Sequence, residues 1–300
     1  REYFIWLAKL ITIFVIIFII VPVVIGVSGL VIGLFVSDGL PSVGKSVAVV
    51  ELSGEIYDSK SVIKELYKQA ENKKVKGTVL RINSPGGAVG PSQEIYQAVR
   101  ALNARNQKKP VVVSLGAVAA SGGLYAALGG AKIYAQPGTL TGSIGVIMQL
   151  PNLRKLTDFA GVDFVTIKSG ELKDVGNMFR EMTENEKQFL QETIQRVHQE
   201  FVRDVSEGRK IPIEKVQQFA DGRIILGEKA KELGLIDDFG SVYDAASAVC
   251  ELAGEALQAG ELPHLYYPRE KFAELRNALE SISNIRLLFT NNVQFKYLMY

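Results

Sequence analysis

From Leu10 to Val36 the chain runs for 27 residues without an Asp, Glu, Lys or Arg, and its only hydroxyl side chains there are Thr12 and Ser28. A helix rises about 1.5 Å per residue, so such a run reaches about 40 Å, enough to cross a bilayer core of about 30 Å with some tilt. A buried helix of a soluble protein would show a polar face over that length, and the apolar region of a cleaved signal peptide is shorter, about 7–15 residues. The run therefore predicts a single-pass anchor over residues 1–36. Arg1 and Lys9 precede it and Asp38 is the first charge beyond it. Positive charge on the near side places the amino terminus in the cytoplasm and everything after Ser37 outside it.

Beyond a Gly-, Ser- and Pro-rich linker at 37–46, short Val- and Ile-rich runs alternate with helical patterns. Val47–Leu52, Thr78–Ile82, Val111–Leu115, Lys132–Ala135, Ile144–Met148 and Phe164–Ile167 read as strands. Ser61–Asn72, Pro91–Arg105, Ser121–Leu128 and Asn152–Ala160 read as helices. The alternation predicts an α/β body at 47–260 with a largely parallel sheet. Thr183 and Glu186 form a capping box that opens a long helix, whose stripe is Leu190, Ile194, Val197, Phe201 and Val205. Gly227–Val249 reads as two further helices. The tail at 261–300 is aromatic and amphipathic. Packing, contact with a membrane surface and occupation of a substrate groove are all open to it.

Charge and rare residues narrow the chemistry. Lys and Arg number 34 against 32 Asp and Glu, a net charge of +2 that does not suit a nucleic-acid binder. With 47% hydrophobic residues the chain is not disordered. One cysteine, Cys250, excludes an internal disulfide framework and any multi-cysteine metal site, and no metal or cofactor is expected. His198 and His264 are the only imidazoles. His198 reads as a packing residue at the edge of the helix stripe.

Three strand-end loops carry candidate chemistry. Asn83-Ser84-Pro85-Gly86-Gly87 follows a strand, and its glycines let backbone amides approach an anionic oxygen, although the same residues make an ordinary turn. Ala119-Ala120-Ser121-Gly122-Gly123 opens a helix. Ser121 fits either a helix cap or an exposed nucleophile whose following amide, that of Gly122, meets a developing oxyanion with help from Gly86. A serine nucleophile needs a base, and neither histidine falls in a strand-end loop. The third loop, Lys168-Ser169-Gly170-Glu171-Leu172-Lys173-Asp174, offers amines instead. An amine acts as a base only when neutral, which burial favours and a neighbouring Glu171 or Asp174 opposes.

In this order and spacing, Asn83–Gly87, Ala120–Gly123, Leu140-Thr141-Gly142-Ser143-Ile144-Gly145 and Lys168–Asp174 resemble the SppA-type signal peptide peptidases in their short, single-domain form. The resemblance spans about Val47 to Val249. It implies a ClpP/crotonase-like fold of repeated β-β-α units and a serine endopeptidase with a Ser/Lys dyad. Ser121 is then the nucleophile and Lys173, rather than Lys168, the base. Gly86 and Gly122 supply the oxyanion-hole amides, and Ser143 orients the lysine. It also implies a homo-oligomeric ring, serine and lysine coming from neighbouring subunits, that degrades released signal peptides and other apolar peptides. Acyl-CoA chemistry on a crotonase-type fold and a catalytically inert membrane scaffold are the competing readings.

Overall fold

In the computed structural model of the chain, the described residues are Trp6, Phe14, Phe18, Val21, the continuous stretch 46–268 and, as backbone, Lys296–Leu298. The anchor expected at Leu10–Val36 falls outside them apart from Phe14, Phe18 and Val21. Among the described residues no helix is long and apolar enough to cross a membrane. The described α/β body, residues 46–267, lies within one compact unit.

Strand β1 (Ser46–Ser53), β2 (Val75–Ser84) and β4 (Val111–Ala119) form the centre of the sheet, with the short β3 (Gly86–Ala88) directly after β2. Helix α1 (Lys60–Glu71) connects β1 to β2, α2 (Val89–Arg105) connects β3 to β4, and α3 (Gly122–Ala127) follows β4. Then come β5 (Ile133–Ala135), β6 (Leu140–Gly142), α4 (Arg154–Ala160), α5 (Glu184–Arg209), α6 (Ile213–Gln217) and β7 (Ile224–Leu226). The order closes with α7 (Gly227–Glu232), β8 (Asp238–Phe239), α8 (Val242–Leu252), β9 (His264–Tyr266) and β10 (Lys296–Leu298).

The sheet order is β7-β6-β4-β2-β1-β9, with β5 pairing both β4 and β8. Its pairs are parallel except β6 with β7. Both faces of the central strands are covered, which is why they read as nearly unbroken Val/Ile/Leu runs. Along β2 the two-residue period sorts the side chains: Leu80 and Ile82 join Ile95, Leu124, Tyr125 and Phe201 in the larger core. Val79 turns the other way, with Val47 and Val112, against Ala245, Ala246 and Val249 of α8.

The register between β2 and β4 slips between Ile82 and Ser84, so that Ser84 pairs with Ala119. A slip of this kind bends a strand end and re-aims the chain beyond it. Here it sets the Gly86-Gly87 loop beside the chain entering Ser121.

Two expected strands are absent. Instead of Ile144–Met148, the strand is Leu140–Gly142, because Gly142 at φ 74° and Ser143 at φ 50° turn the chain out of the ladder. Phe164–Ile167 pairs with no strand. Val165 and Ile167 are 89% and 96% exposed, so this apolar, β-branched run lies open rather than inside the sheet. The capping box at Thr183 and Glu186 forms as expected, and Gly227–Val249 holds α7 and α8. Strand β9 adds His264–Tyr266 to the sheet beyond residue 260.

Candidate active site

Ser121 sits between β4 and α3, on a sharp strand-to-helix turn with φ 54° and ψ −117°. An L-residue adopts this conformation only when its surroundings impose it, at a cost of about 1–3 kcal/mol. The constraint is visible on both sides. The Ser121 amide donates to the Gly142 carbonyl at 2.8 Å, and the Ser121 carbonyl accepts from the Tyr125 amide at 2.9 Å. The side chain is fully buried, and among the described residues Ser121 Oγ has no hydrogen-bond partner. Leaving a buried hydroxyl unsatisfied costs about 1–3 kcal/mol. No capping bond forms, so the reading of Ser121 as a helix cap fails.

The two glycine loops meet backbone to backbone. A Cβ on Gly122 would lie 2.5 Å from Ser92 Oγ, 3.1 Å from the Gly87 nitrogen and 3.3 Å from Gly86 Cα. Any side chain here would push the loops apart. The structure also separates the two glycines of β3. The Gly86 amide donates to Ser84 Oγ at 3.1 Å and its carbonyl accepts from the Ile56 amide. The Ala88 amide donates to the Ile56 carbonyl at 2.7 Å. Since successive amides along a strand face opposite ways, the Gly87 N–H points away from Ile56. The amide nearest the start of α3 is thus that of Gly87, one residue beyond the Gly86 expected from the sequence. On this same edge, backbone β10 pairs antiparallel with β3, Tyr297 opposite Gly87, and also lies beside α3.

Ser143 follows Gly142, the residue whose carbonyl holds the Ser121 amide, so the fold brings Ser121 and Ser143 together. Ser143 also has a positive φ, is nearly buried, and donates its amide to the Arg223 carbonyl at 2.8 Å. Thr141 Oγ1 ties the strand down by donating to the Ala119 carbonyl at 2.6 Å.

Among the described residues, no base is hydrogen-bonded to Ser121. His198 Nε2 lies 2.7 Å from the Ala220 carbonyl and His264 Nδ1 lies 3.4 Å from Ser46 Oγ, so both imidazoles are engaged elsewhere. Lys168 Nζ donates to Asp174 Oδ1 at 2.6 Å and to the Glu171 carbonyl at 2.9 Å. Lys173 lies in a 3-10 turn, Glu171–Asp174, and is exposed.

That turn is anchored by a residue that no motif in the sequence marks, Arg180. Its Nε donates to Asp174 Oδ2 at 2.9 Å and its Nη1 to Glu186 Oε2 at 2.8 Å, while Nη2 reaches Glu186 Oε1. Glu186 meanwhile accepts the Thr183 amide at 2.9 Å in the capping box. The Arg180 guanidinium, with Lys168, holds the Asp174 carboxyl well below the usual carboxylate range. Arg180 likewise pulls Glu186 down to about 2, against the opposing effect of burial. The capping box was legible in the sequence. The second duty of Glu186 was not, because it depends on a fold-back six residues long.

A buried, strained serine beside packed glycine amides suits acyl transfer, and comparison with known proteins points to a peptidase family. The family model described as Peptidase family S49 matches residues 103–255, and one described as Clp protease matches residues 45–140. The chain belongs to peptidase family S49. It is an SppA-type, serine-type peptidase. The Synechocystis protein named "Putative protease slr0021" is 44% identical over 215 residues, which cover 71% of this chain and 76% of that protein. The Enterococcus faecium protein named "Putative signal peptide peptidase SppA" is 37% identical over 197 residues, 66% of this chain and 57% of its own. "Protease 4" of Salmonella typhi is 33% identical over 219 residues, 70% of this chain and 35% of that longer protein. The ClpP-like match fits the parallel-dominated α/β body.

Proposed function

We propose that this S49 peptidase is a membrane-anchored endopeptidase that hydrolyses released signal peptides and other apolar peptides through a Ser121/Lys173 dyad. The reading places it in the bacterial cytoplasmic membrane, held by residues 10–36, with its body on the extracytoplasmic side. The observation that carries the chemistry is Ser121 Oγ, fully buried and unpartnered on a strained turn.

The neutral Lys173 amine removes the Ser121 hydroxyl proton as Oγ attacks the peptide carbonyl carbon. The resulting oxyanion receives hydrogen bonds from the Gly122 amide and from the neighbouring β3 loop, where the geometry favours Gly87 over Gly86. Each donor of this kind contributes about 3–4 kcal/mol to transition-state stabilisation. The tetrahedral intermediate collapses with cleavage of the C–N bond, and the Lys173 ammonium returns the proton to the leaving amine. Water then attacks the acyl-enzyme, Lys173 accepts its proton, and Ser121 is regenerated. Ser143, which follows Gly142, orients the incoming amine in this reading. The edge of β3 accepts an extended chain, as its pairing with Lys296–Leu298 illustrates, which suits a peptide bound as an added strand.

Lys173 comes from a neighbouring copy in this reading. The segment leading to it exposes Leu156, Phe159, Val165 and Ile167, an apolar surface that a second subunit would cover. The test is turnover of a synthetic signal peptide by the full chain, with products read by mass spectrometry. Cleavage that disappears in Ser121→Ala supports the proposal. Near-parental cleavage by Ser121→Ala or Lys173→Ala overturns it.

A further inference from the structure

We infer that the loops entering β2 and β4 form a basic face that rests on the anionic lipid headgroups of the membrane to which the chain is tethered. This rests on the anchor expected at residues 10–36 and goes beyond it, since an anchor alone leaves the body free to turn.

Parallel pairing decides where the face lies. Ser46 pairs with Val75 and Thr78 with Val111, so β1, β2 and β4 all begin at one end of the sheet. The chain coming from residues 10–36 enters the body at that end, through β1. Residues 37–45 reach at most about 30 Å when fully extended, which keeps the strand starts close to the bilayer. Ser121 follows β4 at the opposite end, so this face can meet lipid without covering the serine.

Two loops of the same build occupy the end. Asn72-Lys73-Lys74 leads into β2, and Asn106-Gln107-Lys108-Lys109 leads toward β4. In each, the asparagine Oδ1 accepts the amide two residues on, that of Lys74 at 3.0 Å and that of Lys108 at 3.1 Å. Lys109 Nζ donates to the Asn72 carbonyl at 2.6 Å and ties one loop to the other. Where they meet the ends of α1 and α2 lies a cavity of about 100 Å³, lined in part by Tyr67, Glu71, Arg105 and Lys109.

Charge at this end is not balanced. Lys68 pairs with Glu65, Lys76 with Glu255 and Lys132 with Glu251. Lys73, Lys74, Arg105 and Lys108 are exposed, and among the described residues no ion pair engages them. Against them stand Glu71 and, in the loop before β9, Glu261. Burial, and then the like charge of Lys76, push the Lys109 ammonium below its ordinary value. At the other end of the sheet the β1–α1 connection, residues 54–59, carries Glu55 and Asp58 and no Lys or Arg. A negatively charged surface attracts the first end and repels the second. Such a field acts over a Debye length of about 8–10 Å, and the short tether supplies the proximity it needs.

The test uses the full chain in vesicles of phosphatidylcholine alone and of phosphatidylcholine with an equal part of phosphatidylglycerol. A water-soluble reagent acylates the lysines, and mass spectrometry reads each one. Anionic lipid should cut labelling of Lys73, Lys74 and Lys108 about fivefold, and raised salt should restore it. Lys187 and Lys215, exposed on α5 and α6, should label equally in both vesicles. Equal labelling of the basic loops in the two vesicles overturns the inference, whether the loops are open in both or covered in both by another copy. So does protection of Lys187 and Lys215 to the same degree as the loops. A chain that fails to sediment with phosphatidylcholine vesicles removes the anchor reading and not this one. Binding to the phosphatidylglycerol vesicles should then fall about tenfold when Lys73→Glu, Lys74→Glu and Lys108→Glu are combined, with peptide turnover in detergent unchanged. Undiminished binding of that variant overturns the inference by itself.

Discussion

The serine half and the lysine half of the site are built in opposite ways. Around Ser121 the neighbours are buried: Ala119, Ala120, Gly122, Leu124 and Tyr125 are core residues, and the turn is locked by Gly142. Around Lys173 the chain is open. The segment approaching it places Phe159 at 90% exposure and Ile167 at 96%, and its order comes from the Arg180 ion network rather than from a core. The geometry of Ser121, the proposed nucleophile, is therefore a product of folding, with its strain opposed by the whole sheet. In the proposed reading the base rides on a limb with an open apolar surface and meets its serine in another copy, so its geometry would be a product of assembly.

The contrast can be broken at either half. The largest effect belongs to the reacting atoms: Ser121→Ala and Lys173→Ala should each lower kcat/KM by about 10³-fold or more, with the body still folded by circular dichroism. Next is the glycine contact. Gly122→Ala drives a methyl group toward Ser92 Oγ and should lower kcat by about 10²-fold, with Ser92→Ala in the same chain restoring part of the loss because it removes the nearest obstacle. On the lysine side, Val165→Asp with Ile167→Asp should dissociate the assembly by native mass spectrometry while changing body stability by less than about 0.5 kcal/mol, since both side chains are exposed in the single chain. A loss of fold there would put these residues in a core and erase the contrast. The smallest effect is acid loosening of the lysine turn. Because the Glu186 pKa is depressed to about 2 from the usual 4.5, its contribution is whole above pH 4.5 and is lost as pH falls toward 2. Hydrogen exchange at 171–187 should quicken over that window, before exchange around Ser121.

How much of this was legible in the sequence tracks the same divide. The sheet centre was readable because β1, β2 and β4 are covered on both faces and so announce themselves as apolar runs. The Thr183 box was readable because its two bonds are local. Phe164–Ile167 carried the same apolar signal as a strand, yet sequence pattern reports that a surface wants covering and not what covers it. Gly142 and Ser143 ended a strand early through backbone angles that composition does not reveal. Ser121, Gly122 and Lys173 are proposed from motifs. The amide of Gly87, by contrast, needed the alternation of β3 against Ile56 to be seen, and Arg180 needed three elements to come together.

The central claim is that the Ser121 hydroxyl of one copy is activated by the Lys173 amine of another, and mixing two dead variants tests it most directly. Ser121→Ala chains and Lys173→Ala chains, each inactive alone, are dissociated, combined in equal amounts and reassembled, with mixed particles verified by native mass spectrometry. A head-to-tail ring would then hold intact serine–lysine pairs at about a quarter of its sites, and peptide turnover should return to about that fraction of the parent. Mixed particles that form and remain inactive would contradict the account.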